Sequence, residues 1–167
     1  MRLFLAILAS VTFLIGCNNN HLHQAEQHIA QGNFLRALEQ LNTQATDDVH
    51  SRKLKALALF VVGKPDHAWR VIDQLDPSDR SKCGEILLRA AIVIAREKAR
   101  YREVIRLVDS CIVIDPSIKD EALNVVWSRG IEYLDVKGDA GYWMLSYFAK
   151  YDIQMLKRLR GRKPILA

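Results

Sequence analysis

The chain has 167 residues, half of them apolar and 26% charged, with a formal net charge of +5. That is the composition of a packed globular protein about one domain long, not of a disordered or collagen-like chain. Eight glycines and four prolines argue against a turn-rich all-β fold, and the cations and anions are too evenly interspersed to form the basic stripe that nucleic-acid recognition needs.

Met1 and Arg2 make a short positive start, and Leu3 to Ile15 (LFLAILASVTFLI) follow without a charge. A helix of that length rises roughly 20 Å, short of the ~30 Å hydrocarbon core of a bilayer, so the segment reads as the apolar region of a secretory signal rather than a spanning helix. It ends Leu14-Ile15-Gly16-Cys17, which resembles the lipobox of bacterial lipoproteins. The resemblance implies cleavage after Gly16 and acylation of Cys17, whose chains would anchor the protein by burying methylenes at ~0.8 kcal/mol each. Asn18, in place of the Asp that retains such proteins in the inner membrane, implies the periplasmic face of the outer membrane. The alternative reading is an uncleaved inner-membrane anchor with an incidental cysteine. The expected organisation is a signal peptide over 1–16, a lipidated cysteine and tether over 17–21, a helical domain over 22–160 and a basic tail over 161–167. The extended tether reaches at most about 14 Å, which holds the folded part close to the bilayer.

From His23 onward the apolar period is helical, with no sustained alternation. Ala25–Leu41 (AEQHIAQGNFLRALEQL) reads as two helices around Gly32-Asn33-Phe34, and Ala56–Pro77 as a second pair around Gly63. Leu87–Pro116 gives a third pair, with Tyr101, Val104, Val108 and Cys111 marking its second helix, and Trp127–Tyr147 a weaker fourth around Gly138. These segments resemble tetratricopeptide repeats, whose small residues let paired helices approach, whose glycine stops the first helix and whose Asp-Pro closes the second. Ala25 with Ala37 and Ala56 with Ala68 stand at the small positions, and Asp76-Pro77 and Asp115-Pro116 at the closing ones. Gly32, Gly63, Ala99 and Gly138 are spaced by 31, 36 and 39 residues, around the family's 34. Copy three carries Ala99 where glycine is expected, and copy four offers Trp143 where a small residue is expected. The implied fold is all-α: a right-handed α-solenoid of about four degenerate hairpins with a C-terminal capping helix. An irregular helical bundle is the alternative. Met144, Leu145, Phe148, Tyr151, Met155 and Leu159 form the stripe of the expected cap, which would cover the last hairpin's open face. Lys157, Arg158, Arg160, Arg162 and Lys163 then form a cationic end, either solvated or drawn to anionic headgroups.

No nucleophile elbow, phosphate loop or zinc-protease motif is present. His21 and His23 diverge on a helix while His21 and His28 align, which leaves no expected metal site and no cofactor; an enzyme is the weaker reading. Cys83 and Cys111 remain once Cys17 is acylated. A hairpin turning near Lys98-Ala99 would set residue 83 opposite roughly residue 113, near enough for a disulfide worth about 3–4 kcal/mol in an oxidising compartment. The other reading has Cys111 filling the small position of its repeat and Cys83 capping a loop.

The repeat resemblance implies a groove lined by the first helices. Its positions fall on Leu22, Glu26 and Ile29, on His50, Lys53, Leu57 and Phe60, on Arg89, Val93 and Arg96 with Ile86, and on Ser128, Glu132 and Asp135. Lys53 matches one position of the family's carboxylate clamp, while Leu57 stands where that clamp needs Asn. The groove would prefer a peptide with an acidic group beside an apolar side chain, taken by Arg89 through a forked contact. The expected function is a non-catalytic lipoprotein adaptor or assembly factor for a pilus, secretion or polysaccharide-export machine. The alternative is a glycan- or peptidoglycan-binding accessory or enzyme, suggested by Trp127, Tyr133, Trp143 and Tyr147.

Overall fold

The structure, a computed structural model, describes residues 21–43, 48–134 and 139–151, with only the backbone of Lys98. Cys17, the tether up to Asn20, Asp135, Gly138, Met155, Leu159 and the basic tail lie outside the described residues, while His21, expected in the tether, opens the first helix. All regular structure among the described residues is helical, so the all-α class is established. The helices are α1 (21–30), α2 (Phe34–Thr43), α3 (Val49–Val61), α4 (Pro65–Asp73), α5 (Pro77–Arg80), α6 (Gly84–Ile94), α7 (Tyr101–Ile114), α8 (Lys119–Leu134) and α9 (Asp139–Phe148). None of them is long and apolar enough to cross a membrane. Contacts divide the chain into two compact units, at Ile86–Leu87.

In the first unit, α1 and α3 end in the same way. Gly32 adopts φ +77° and Gly63 φ +80°, the left-handed region open to residues without a Cβ. The amide of Gly32 donates to the Ile29 carbonyl (3.0 Å) and that of Asn33 to His28 (2.7 Å); Gly63 donates to Phe60 (3.1 Å) and Lys64 to Leu59 (2.9 Å). This paired bonding is a Schellman closure, and it satisfies carbonyls that the helix end would leave open. The small residues flanking each turn, Ala25 with Ala37 and Ala56 with Ala68, are all fully buried. α3 packs on both α2 and α4, and Asp48 caps it by accepting from the Ser51 amide at 2.9 Å. Phe60, buried at the end of α3, meets Trp69 of α4 edge to face at 5.2 Å. Arginines close the other end of the α3–α4 pair. Arg52 donates to the Gln74 carbonyl (3.0 Å) and Arg80 to that of Asp73 (2.6 Å), just past the last turn of α4.

The second unit solves its first turn without glycine. Ala99 lies in a 3-10 turn, Lys98–Arg100, that leads straight into α7, and no described non-glycine residue has a positive φ. The expected left-handed turn is therefore replaced, because a Cβ there would crowd the following carbonyl. Arg100 anchors the new geometry with a forked contact to Glu103 at 2.9 and 2.8 Å. Proline also acts differently from expectation. Pro77 and Pro116 do not merely close the preceding helix; each opens the next helical segment, α5 and the 3-10 turn Pro116–Ile118. Proline suits a first helical position, where an amide hydrogen has no intrahelical partner.

α8 and α9 pack closely against one another, and here the expectation for the fourth pair is corrected. Trp143 does not take the small position: its side chain is 53% exposed. The small residues are Gly130 and Gly141. A Cβ on Gly141 would stand 2.6 Å from the Leu134 backbone nitrogen and 2.8 Å from the Gly130 carbonyl oxygen, while one on Gly130 would meet Leu145 Cδ2 at 2.8 Å. Of the expected C-terminal stripe, Met144, Leu145 and Phe148 are buried in this pair and Tyr151 is half-buried.

Gly141→Ala must push one backbone off another, whereas Gly130→Ala displaces only a side chain and recovers up to about 1 kcal/mol of helix propensity. In chemical denaturation Gly141→Ala should lose about 2 kcal/mol or more, and Gly130→Ala at least about 1 kcal/mol less than that.

Candidate binding surfaces

The residues expected to line a groove separate into surface and core. In the first unit His50 is exposed on α3 and shares a 2.8 Å contact with Glu26 of α1, while Lys53 is half-buried. Leu57 and Phe60, however, are 1% and 0% exposed. They belong to the core and cannot touch a partner in this fold. The cause is that α3 has neighbours on two sides, so its apolar run Ala56–Phe60 is buried around much of its circumference, as an uninterrupted apolar run in a helix predicts.

In the second unit Arg89 and Val93, with Ile92, which is 38% exposed, recur at steps of three and four and so share one face of α6, while Arg96 follows in the turn just past its end. Arg89 and Arg96 are exposed and Val93 is half-buried, giving two apolar side chains flanked by guanidinium groups. Glu132 is exposed on α8, engaged with Arg129 one turn earlier.

The aromatic residues singled out by sequence do four different jobs. Tyr133 is buried and donates its hydroxyl to the Ala95 carbonyl at the end of α6; burial pushes its hydroxyl pKa up. Trp143 projects from α9 beside exposed Tyr142. Tyr147 is buried and donates to Asp109 of α7 at 2.9 Å, as Tyr151 does at 2.6 Å. Hydrogen bonding from Tyr151 first, and from Tyr147, holds the Asp109 carboxyl below the ordinary carboxylate range, with Lys150 adding to the effect. The two tyrosines are pushed up, Tyr147 mainly by burial and Tyr151 mainly by its bond to Asp109. Trp127 packs on Phe148 with ring centres 5.1 Å apart.

Trp127 also borders a feature that sequence reasoning missed. Between the N-terminal half of α8 and the end of α9 lies an open concavity of about 430 Å³. Leu123, Trp127, Phe148 and Tyr151 supply its apolar lining, and Asp120, Glu121 and Asn124 its polar edge, with Lys119 beside them. The signal was the spacing of Asp120, Asn124 and Trp127 at steps of four and three, one face of a helix.

Neither described cysteine has the makings of a nucleophile. Cys83 and Cys111 are both fully buried. Cys83 donates its S–H to the Asp79 carbonyl at 3.5 Å, and Cys111 sits in the buried face of α7. Burial pushes the Cys83 thiol up and that of Cys111 to about 11, so both stay protonated near neutrality. Among the described residues no group of three or more His, Cys, Asp or Glu side chains is placed to hold a metal ion. The chain matches no protein-family model, no curated protein and no solved structure.

In a Cys17→Ser protein purified without reductant, thiol reagent at neutral pH should react with neither cysteine until denaturant is added, and then with two. A count of zero after unfolding would mean that the bridge forms. Because the Asp109 carboxyl ionises at lower pH folded than unfolded, it stabilises the fold above the ordinary carboxylate pKa, and that contribution is lost as pH falls through the depressed folded value. Asp109→Asn should thus cost about 1 kcal/mol at neutral pH, and the gap to the parent protein should close in acid, as followed by denaturant titration across pH.

Proposed function

We propose that the chain is a bacterial lipoprotein, anchored in the outer membrane through acylated Cys17 and facing the periplasm. Its helices form a right-handed solenoid of tetratricopeptide-like hairpins, which acts without catalysis as an adaptor or assembly factor for an envelope complex such as a pilus, a secretion channel or a polysaccharide exporter. The observation that carries the repeat reading is one register used twice. Ala25, Gly32 and Ala37 stand at the same intervals as Ala56, Gly63 and Ala68, with the four alanines buried and both glycines closing a helix. The Leu14-Ile15-Gly16-Cys17 motif behind an uncharged segment supports the anchor. Solenoids of this kind act through exposed faces, and Arg89, Ile92 and Val93 of α6, with Arg96 in the turn that follows, suit a peptide in which an acidic group adjoins an apolar side chain.

Radiolabelled fatty acid fed to cells should appear in the protein and be lost from Cys17→Ser. Capture of tagged full-length protein from solubilised envelopes should recover one envelope assembly, absent from the Cys17→Ser control. Reversing both cations, Arg89→Glu with Arg96→Glu, should reduce that recovery at least about tenfold, the loss of two charge-assisted contacts. Unchanged capture by the reversed protein would remove α6 as the partner face, and failure to recover any protein would remove the adaptor reading.

A further inference from the structure

The concavity between α8 and α9 has the make-up of a ligand site, and it takes no part in the adaptor reading. Its floor is apolar: Leu123 and Phe148 are buried beneath it. Trp127 is half-buried and leans on Phe148 at an interplanar angle of 48°, so the ring is braced while part of its surface stays open. Asp120 and Asn124 stand above Trp127 on successive turns of α8, both exposed. Side chains of this kind present acceptors and, from Asn124, donors in a plane. A braced aromatic surface with a few convergent polar groups is the usual anatomy of a small-ligand site.

The electrostatics choose the ligand. Asp120 and Glu121 bring two negative charges to the edge, but both lie in the first turn of α8, where the positive end of the helix offsets them in part. Lys119 stands in the same lining, with its ammonium 5.5 Å from the centre of the Tyr151 ring. The Tyr151 hydroxyl is committed to Asp109. What remains is close to neutral, rich in hydrogen-bonding edges and apolar at its base. An isolated cation would find that aromatic face partly taken by Lys119, and an anion would meet two carboxylates. We propose that this concavity binds one or two rings of a neutral saccharide. The C–H face of a pyranose would rest on Trp127, and its hydroxyls would bond Asp120 and Asn124. Its volume of about 430 Å³ lies within the range of small-ligand pockets.

The test uses the full chain in a detergent without a sugar headgroup, with Trp69→Phe and Trp143→Phe so that Trp127 is the reporting indole. The probes are an N-acetylglucosamine tetrasaccharide, a glucose tetrasaccharide and a lysine-rich peptide. A saturable change in Trp127 emission with either sugar, insensitive to added salt, is expected. Asp120→Ala and Asn124→Ala, both at exposed positions that leave the helices intact by circular dichroism, should each weaken it about tenfold. The proposal is overturned if neither sugar gives a saturable change, if both substitutions leave the affinity unchanged, or if only the peptide binds and salt displaces it.

Discussion

Two helices touch backbone to backbone only where neither carries a side chain at the crossing, and the second unit depends on one such place. With Gly141 pressed on the Leu134 amide and the Gly130 carbonyl, α8 and α9 are fixed at close range at their connected end. Further along the pair, side chains lie between the helices: Leu145 and Met144 beside Gly130, then Trp127 against Phe148. Beyond those rings the gap becomes the concavity. The close crossing and the concavity belong to the same helix pair, and a protein interior packed to crystal-like density has little freedom to absorb a change at the glycines.

The first unit applies a similar rule with alanine, and there the sequence was a good guide. Ala25, Ala37, Ala56 and Ala68 could be read from their intervals about Gly32 and Gly63, because a turn glycine and a flanking small residue are local signals tied to local geometry. The fourth pair was not legible in the same way. Its small residues are glycines, one of them inside a sixteen-residue helix, where a glycine suggests weakness rather than contact. Trp143 drew attention because it is large, yet its position on α9 turns it outward. Ala99 and the Asp-Pro pairs show a different limit. The position of each break was clear, but whether a break is made by a left-handed residue, a 3-10 turn or an N-terminal proline depends on how the chain continues afterward.

The candidate site was legible only in part, for a reason of dimension. Carrying groove positions along helices in register treats each helix as though it had one inner and one outer face. α3 has neighbours on two sides, so Leu57 and Phe60 went into the core while His50, a turn and more earlier, remained at the surface. α6 met the assumption better: Arg89 and Val93 stayed on one face, and Arg96 follows in the turn just past the helix. The concavity needed residues from two consecutive helices, and no periodicity within one of them could bring Phe148 to Trp127. The chemistry follows the same division. The described thiols lie deep enough to be inert, and Asp109, whose carboxyl is held low, gives its charge to two tyrosine hydroxyls.

The chain uses glycine in two ways, and the difference sets what each position can become. Nothing lies within 4 Å of a Cβ built on Gly32 or Gly63; those sites select for handedness, not size. Asn, which enters the left-handed region most readily among the L residues, is an available replacement there, and a D-alanine introduced by chemical synthesis would fit without crowding. Gly141 is the reverse. Its constraint is volume, which alanine cannot satisfy, since the space its Cβ would take is already held by the main chain of α8. The two turns can therefore drift in sequence over evolutionary time, while the α8–α9 crossing must remain as it is or be rebuilt from both sides at once.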